Sequence, residues 1–190
     1  MCIICGEKGD ISQLNDYSHI SCYQCKTLEK IPKELPNLID LNCCACTSLK
    51  YIPDTLVNLT WVSISGCPLI THIPDTLINL GTLYCYKCPL LTCIPASLIN
   101  LKHLECDYCP LITSIPISLL KVNFLNCRGN QLYIPFKIKS KLNIKNNNYI
   151  GLCRIRFKNK LKRIRKKLLL KCINESVLIS DVNKIIIGFT

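Results

Sequence analysis

Apolar and polar positions recur in this chain at a fixed interval of 21 residues. Each repeat closes with an Ile-Pro step, and the intervening leucines, isoleucines and cysteines keep their places from one repeat to the next. A period of roughly 20–50 residues indicates a solenoid, a propeller or a linear array. The prolines that mark the period are Pro32, Pro53, Pro74, Pro95 and Pro116, and Pro135 follows after a shorter interval of 19 residues.

A short alternating segment in each repeat predicts a β-strand. The first and third residues of the segment are apolar or cysteine and point inward, while the middle residue points outward. Successive strands are expected to stack into a parallel sheet on the concave side. The return path contains a proline in every turn and is predicted to be extended or briefly 3-10, without long helices. The predicted strands are 20–22, 41–43, 62–64, 83–85, 104–106 and 125–127.

A second cysteine position lies three residues after each predicted strand. A thiol there is compact and readily buried, so these cysteines are interpreted as core residues that fill the turn. An asparagine occupies the last of these positions. The members are Cys25, Cys46, Cys67, Cys88, Cys109 and Asn130.

The two ends of the chain depart from the repeat. Residues 1–10 are predicted to cap the first turn, residues 11–150 hold the repeats with the last ones shortened, and residues 151–190 form a tail. In the tail, Phe157, Leu161 and Ile164 begin one apolar face of a helix, continued at Leu168 and Cys172. Residues 174–190 fit a short helix or an edge strand equally well.

The predicted C-terminal amphipathic helix carries most of the net charge. Residues 1–153 contain 13 Lys and Arg against 10 Asp and Glu, whereas residues 154–171 contain ten basic and no acidic residues. Such a helix fits a solenoid cap with solvated charges, a partner groove, an anionic membrane surface or nucleic-acid phosphates. The basic residues that would mediate such contacts include Arg154, Arg156, Lys158, Lys162, Arg163, Arg165, Lys166 and Lys167.

The 16 cysteines would suit a secreted disulfide scaffold, but the expected secretion signal is missing. No apolar run is long enough to span a bilayer. We therefore expect reduced thiols and an intracellular, cytoplasmic location.

The repeated motif L-x-x-L-x-C-x-x-C-P-L-[LI]-T-x-I-P at residues 80–95 and 101–116 resembles leucine-rich-repeat proteins over about residues 11–150. The resemblance implies an α/β-type horseshoe, a leucine-rich-repeat solenoid with a parallel concave sheet. Cysteine in place of asparagine, together with abundant Ile, Asn and Lys, is most similar to leucine-rich-repeat proteins of giant DNA viruses of amoebae. This family resemblance implies a protein-binding scaffold and does not identify a particular partner. We expect the partner to be a host protein and expect no small-molecule substrate.

The outward positions of the predicted sheet form the candidate binding surface, because concave solenoid faces carry recognition while the core packs. Large aromatic side chains with polar edges are typical of interface hot spots. A solvated face with scattered aromatics is the alternative interpretation. The candidate residues are Tyr23, Asp40, Trp61, Tyr84, Tyr86, His103, Glu105, Asp107, Tyr108, Phe124 and Arg128.

Two C-x-x-C pairs separated by sixteen residues match the spacing of a four-cysteine zinc site. The pairs are Cys2 with Cys5 and Cys22 with Cys25. The repeat already accounts for Cys22 and Cys25 as members of the cysteine columns, so we favour no metal or other cofactor and keep zinc as an alternative.

No catalytic motif accompanies these features. The chain has no nucleophile-elbow, phosphate-loop or zinc-protease motif, so an enzyme is not expected. The sequence predicts a non-enzymatic protein-interaction module. The alternatives are a nucleic-acid or membrane tether acting through the basic helix, and a substrate-recruiting subunit of a ubiquitin ligase.

Overall fold

A computed structural model of the chain describes residues 3–6, 11–130, 132–139 and 142. These residues belong to the first of two compact units, Met1–Tyr149, and the second unit is Ile150–Thr190. The predicted basic helix and tail therefore lie outside the described residues, as does most of the predicted last, shortened repeat.

Six three-residue strands form one parallel sheet in chain order. Each residue lies opposite the residue 21 positions later, as Ile20 lies opposite Leu41. The sequence period is therefore the turn of a solenoid, which confirms the predicted parallel sheet. The strands are β1 His19–Ser21, β2 Asp40–Asn42, β3 Trp61–Ser63, β4 Thr82–Tyr84, β5 His103–Glu105 and β6 Phe124–Asn126.

Each strand begins and ends one residue earlier than predicted. The residue after each strand still takes part in the ladder, since Cys22 N–H donates to Asn42 O at 2.7 Å and Cys43 N–H donates to Ser63 O at 2.8 Å. The chain turns immediately afterwards, which ends the regular strand. The predicted alternation is confirmed in β1, where Ile20 and Cys22 are buried and Ser21 is exposed.

The core is a strip of stacked apolar columns that continues through the turns. Leu41, Leu83 and Leu104 are fully buried on the inner side of the sheet, and Leu59 and Leu80 are fully buried behind it. Burying one such side chain contributes about 1.5–3 kcal/mol. Because each side chain packs against its equivalents in neighbouring turns, this stabilisation is shared between repeats.

Every repeat leaves the sheet through a residue with positive φ. Its N–H donates to the next repeat, as Gln24 N–H does to Cys44 O at 2.8 Å and Ala45 N–H to Ser65 O at 2.7 Å. The hydrogen-bonded ladder therefore extends beyond the strands. At the non-glycine positions, the left-handed backbone costs about 1–2 kcal/mol of stability per residue. The residues are Gln24 (57°), Ala45 (60°), Gly66 (71°), Lys87 (55°), Tyr108 (54°) and Gly129 (72°).

The second cysteine position is buried from Cys46 onward, as predicted, and it also hydrogen-bonds. Each thiol donates to a carbonyl of the preceding turn, and at the last position Asn130 Nδ2 donates to Cys106 O at 2.6 Å. Asn130 Oδ1 also accepts from Cys109 N–H at 2.7 Å. Cysteine therefore replaces one of the two hydrogen bonds that asparagine makes. The thiol contacts are Cys46 to Cys22 O (2.8 Å), Cys67 to Cys43 O (3.0 Å), Cys88 to Ile64 O (3.1 Å) and Cys109 to Cys85 O (2.9 Å).

Polar side chains also connect the return segments, which in residues 22–130 consist of turns and extended chain. Hydroxyl groups of successive repeats donate to carbonyls of the turn before, as Thr76 Oγ1 does to Asp54 O at 2.6 Å. A column of asparagine amides does the same. These contacts are Asn37 to Asn15 O (2.9 Å), Asn58 to Pro36 O (2.8 Å), Asn79 to Val57 O (3.1 Å) and Asn100 to Ile78 O (2.9 Å).

Short helices precede and follow the six strands along the sequence. Helix α1 is Ile3–Gly6 and a 3-10 helix is Ile11–Asp16, and helix α2 is Phe136–Lys139. An isolated parallel bridge between Ser114 and Tyr133 continues the repeat contacts beyond β6. Within the part of the chain that the structure describes, no helix has the length and apolar character needed to cross a membrane.

Candidate functional site

The predicted binding residues lie on the outward-pointing side of the sheet, which we call the sheet face. Because the strands pair in register, equivalent positions form columns of neighbours spaced about 4.8 Å apart. Two columns come from the first and third residues of the strands, and the third column lies just beyond them. The columns are His19, Asp40, Trp61, Thr82, His103, Phe124; Ser21, Asn42, Ser63, Tyr84, Glu105, Asn126; and Tyr23, Cys44, Ser65, Tyr86, Asp107, Arg128.

An aromatic pair lies in the middle of the sheet face. The ring centroids of Trp61 and Tyr84 are 5.7 Å apart and the rings are tilted by 60°. Tilted pairs at this distance are favourable beyond their buried area, by about 0.5–1.5 kcal/mol. Both rings are half-buried, so each is held in place and still offers surface to a partner.

Tyr86 extends this aromatic group along the third column. The Cys44 thiol beside its phenol, followed by partial burial, raises the pKa of Tyr86. Cys44 and Tyr86 are separated in the column by Ser65, so the tyrosine side chain reaches over that serine. Ser65 is fully buried, and its hydroxyl has no hydrogen-bond partner among the described residues.

A second aromatic group lies toward β6. His103 and Phe124 have ring centroids 5.9 Å apart. In the turn after β5, the Tyr108 ring lies directly on Gly129, where an added Cβ would be 2.6 Å from Tyr108 Cδ1. Tyr108 remains 55% exposed. Glycine at position 129 therefore supplies both the positive φ and the space for this ring.

Two carboxyl groups lie between the aromatic groups. Burial and the neighbouring Asp107 raise the pKa of Glu105, and Arg128 opposes the shift. Burial also raises the pKa of Asp107. The Asp107 side chain is buried, and its Oδ1 accepts a hydrogen bond from the backbone N–H of Arg128. Asp107 therefore stabilises the turn through this hydrogen bond. Glu105 is half-exposed, so its carboxyl group can contact a ligand.

A hydrogen-bonded string lies at the β1 end of the sheet face. Ser18 Oγ is 2.7 Å from His19 Nδ1, and His19 Nε2 is 2.9 Å from Asp40 Oδ2. Both ring nitrogens are thus occupied, and the imidazole holds the Asp40 carboxylate in position. The candidate residues predicted from the sequence include Asp40 but not His19. The 21-residue spacing between the two was the signal that could have identified His19 as a neighbour of Asp40 on the sheet face.

The remaining candidates lie at the ends of the sheet face. Tyr23 is 59% exposed beside β1, and Arg128 is exposed just after β6. The structure brings the aromatic candidates into two local groups rather than one continuous row.

The structure describes three of the four predicted zinc ligands. Cys5 Sγ is 3.4 Å from Cys25 Sγ, Cys22 is buried, and Cys2 lies outside the described residues. The described residues contain no cluster of three or more metal-ligating side chains. Zinc at this end of the chain stays a prediction, which the zinc content of the purified protein tests.

Cys67 and Cys85 are buried packing residues rather than reactive groups. Burial raises the pKa of Cys67 to about 12. Hydrogen bonding to Cys109, together with burial, raises the pKa of Cys85 well above its usual range. A thiol is nucleophilic as its thiolate, so these two side chains are inert near neutral pH.

An exposed apolar column, which the sequence interpretation did not single out, lies on the return segments. The 21-residue period could have identified this column in the sequence, because its residues directly precede the positions of the asparagine column. These side chains are 41–52% exposed and form a surface separate from the sheet face. They are Val57, Ile78, Ile99 and Leu120.

Comparison with known proteins agrees with the repeat geometry. A family model described as Leucine Rich Repeat matches residues 58–80, a stretch that contains β3. No curated protein matches the chain. The match and the parallel sheet together support a leucine-rich-repeat protein. Leucine-rich-repeat domains generally bind protein partners and are typically not enzymes.

Proposed function

We propose that this protein is an interaction module that binds a protein partner on the sheet face. The observation that carries the proposal is the aromatic group of Trp61, Tyr84 and Tyr86 at the middle of a continuous parallel sheet. Partly exposed aromatic side chains of this kind dominate interface energetics when a partner covers them.

The fold supports binding by keeping these side chains in place before a partner arrives. Trp61 and Tyr84 contact each other, and Tyr86 reaches across its own column toward Cys44. Ordering a side chain on association costs about 0.5–1.5 kcal/mol. Rings that are already ordered avoid part of that cost, so the sheet face is preorganised for recognition.

The test is affinity capture from nuclease-treated cell lysate with the full-length protein and two variants. Amoebal lysate is the first source, because the cysteine usage resembles that of proteins from giant viruses of amoebae. One variant changes Trp61, Tyr84 and Tyr86 to Ala. The matched control changes three exposed apolar residues of the return segments, Val57, Ile78 and Ile99, to Ala.

A partner retained by the wild type and the control variant, and lost from the sheet-face variant, supports the proposal. Loss from the control variant alone would instead assign binding to the return segments. Circular dichroism of each variant shows whether the fold has been kept.

The alternative tether function makes a different prediction in the same experiment. Ten basic residues in 154–171 would hold nucleic acid or an anionic membrane mainly by charge. Such binding falls steeply with salt, whereas an aromatic interface is less sensitive. Neutralising the basic residues of this segment should then abolish capture. A role in a ubiquitin ligase is a special case of protein binding, and the identity of the captured partner tests it.

A further inference from the structure

An open hollow lies at the β1 end of the sheet face. Its volume is about 310 Å³. The hollow lies over residues of the first and second columns in β1 and β2, next to Trp61 of β3. The lining residues are His19, Ile20, Ser21, Asp40, Asn42 and Trp61.

The Asp40 carboxylate supplies the charge of this hollow. Its Oδ2 is 2.9 Å from His19 Nε2, and its Oδ1 is 3.4 Å from Thr60 Oγ1. A carboxylate has about four acceptor sites, so each oxygen can accept a further hydrogen bond. No lysine or arginine lines the hollow.

Trp61 supplies an aromatic wall. Its contact with Tyr84 at 5.7 Å limits the positions that the indole can take. A cation within about 6 Å of an indole face is attracted by the ring. A guanidinium group can stack on an aromatic face and also donate two parallel hydrogen bonds to a carboxylate. The ring and the carboxylate are therefore complementary to the same group.

We infer that this hollow is a pocket for an arginine side chain of the bound protein, with Asp40 as its counter-ion and Trp61 as its wall. The inference rests on the proposed function and adds the chemistry of the partner to it. The acidic Glu105, three strands away on the same face, would favour further basic residues in the bound segment.

The probe that isolates this pocket is N-acetyl-arginine amide, added to the full-length 15N-labelled protein. The chain contains one tryptophan, so a single indole N–H resonance reports on the pocket wall. N-acetyl-citrulline amide has nearly the same shape without the charge and serves as the control ligand. We expect a saturable shift of the indole resonance with the arginine compound only, and weaker binding at higher salt.

Two variants address the pocket by different means. Asp40→Asn removes the counter-ion, and binding should weaken about tenfold or more because a charge-assisted hydrogen bond is lost. Ser21→Lys places an ammonium group in the hollow and should block the ligand while leaving Asp40 in place. Asp54→Asn, an exposed carboxylate on a return segment, is the matched control and should bind as the wild type does.

Equal shifts with arginine and citrulline compounds would overturn the inference, and so would wild-type binding by both folded pocket variants. Partner capture is measured separately. A partner that is lost from the aromatic variant and kept by Asp40→Asn supports the proposed function and contradicts the arginine pocket.

Discussion

Single backbone positions decide how each turn leaves the sheet. The positive-φ column shows two solutions at the same place, glycine at positions 66 and 129 and larger residues at the other four. The backbone N–H at this position completes the ladder both at Gly66 and at larger residues such as Lys87. Lys87 and Tyr108 also carry side chains that glycine cannot supply.

Gly66→Ala should therefore measure the backbone cost almost in isolation. An added Cβ would meet Ala45 Cα at an ordinary 3.6 Å, so space is not limiting. We expect the free energy of unfolding to fall by about 1–2 kcal/mol, as measured by urea denaturation. The control is Gly81→Ala, whose φ is not positive and whose Cβ would lie 3.6 Å from Thr60 O. A Gly81 variant that loses as much stability as the Gly66 variant would contradict this explanation.

The thiol hydrogen bonds give a second test at single residues. Cys88→Ala removes the thiol donor to Ile64 O, and that carbonyl keeps the hydrogen bond from Cys67 N–H. The expected loss of stability is about 0.5–1.5 kcal/mol, read from the denaturation midpoint at unchanged slope. Cys93→Ala changes an exposed cysteine and should have little effect. Equal midpoints for both variants would show that the buried thiol does not stabilise the fold.

Strands β4 to β6 combine aromatic and acidic side chains. The acidic side chain of Glu105 makes the stability of the protein depend on pH. The pKa of Glu105 is raised in the folded protein by burial and by Asp107. A carboxyl with a raised pKa favours folding below its unfolded pKa, and this contribution is lost as pH rises through the folded value. At neutral pH the ionised Glu105 carboxyl therefore lowers the free energy of unfolding slightly. Such a cost is expected of a charged group on a surface that binds a partner.

Glu105→Gln should make the protein more stable than the wild type at pH 7. The difference should shrink as pH falls through 4, because the wild-type carboxyl then becomes protonated in both the folded and the unfolded state. Glu29→Gln is the opposite-sign control. A hydrogen bond and the charge of Lys50 lower the pKa of Glu29, so this variant should lose stability at pH 7 and regain parity at low pH. Denaturation curves at several pH values measure both, and parallel profiles would contradict the prediction.

The register of the elements could be predicted from the sequence because each column repeats one residue type every 21 positions. Because leucine recurs at 41, 83 and 104, the sequence shows which face of each strand is buried. The strand ends were predicted one residue late because the positive-φ turn has no residue signature. Its six positions hold Gln, Ala, Lys and Tyr once each and Gly twice. The hollow beside Trp61 could not be predicted, since it depends on side-chain sizes in three adjacent strands.

At the scale of the whole unit, every repeat is stabilised mainly by its two neighbours. Among the described residues, strands β2 to β5 have a paired strand on each side, whereas β1 and β6 have a paired strand on one side only. Stability in such an array is approximately a sum of repeat and interface contributions. The ends should open more readily than the centre, which places the hollow near a less stable end and the Trp61–Tyr84 pair near the middle.

Hydrogen exchange followed by mass spectrometry tests this gradient. We expect the amides of β3 and β4 to exchange slowest and those of β1 and β6 to exchange faster, because local opening needs fewer lost contacts at the ends. Binding of a partner across the sheet face should slow exchange in all six strands. Equal protection of β1 and β4 in the unbound protein would show that the array unfolds as one cooperative unit.

The constant register has a consequence for how such a chain changes length. The thiol, hydroxyl and asparagine ladders join a side chain to a carbonyl 22 or 24 residues earlier, in the adjacent turn. Removing or duplicating one 21-residue unit brings equivalent donors and acceptors together again. Unequal recombination between neighbouring repeats of the gene therefore preserves both the reading frame and the ladders. Homologous genes should differ by whole repeats, each of which lengthens or shortens the recognition surface by one strand.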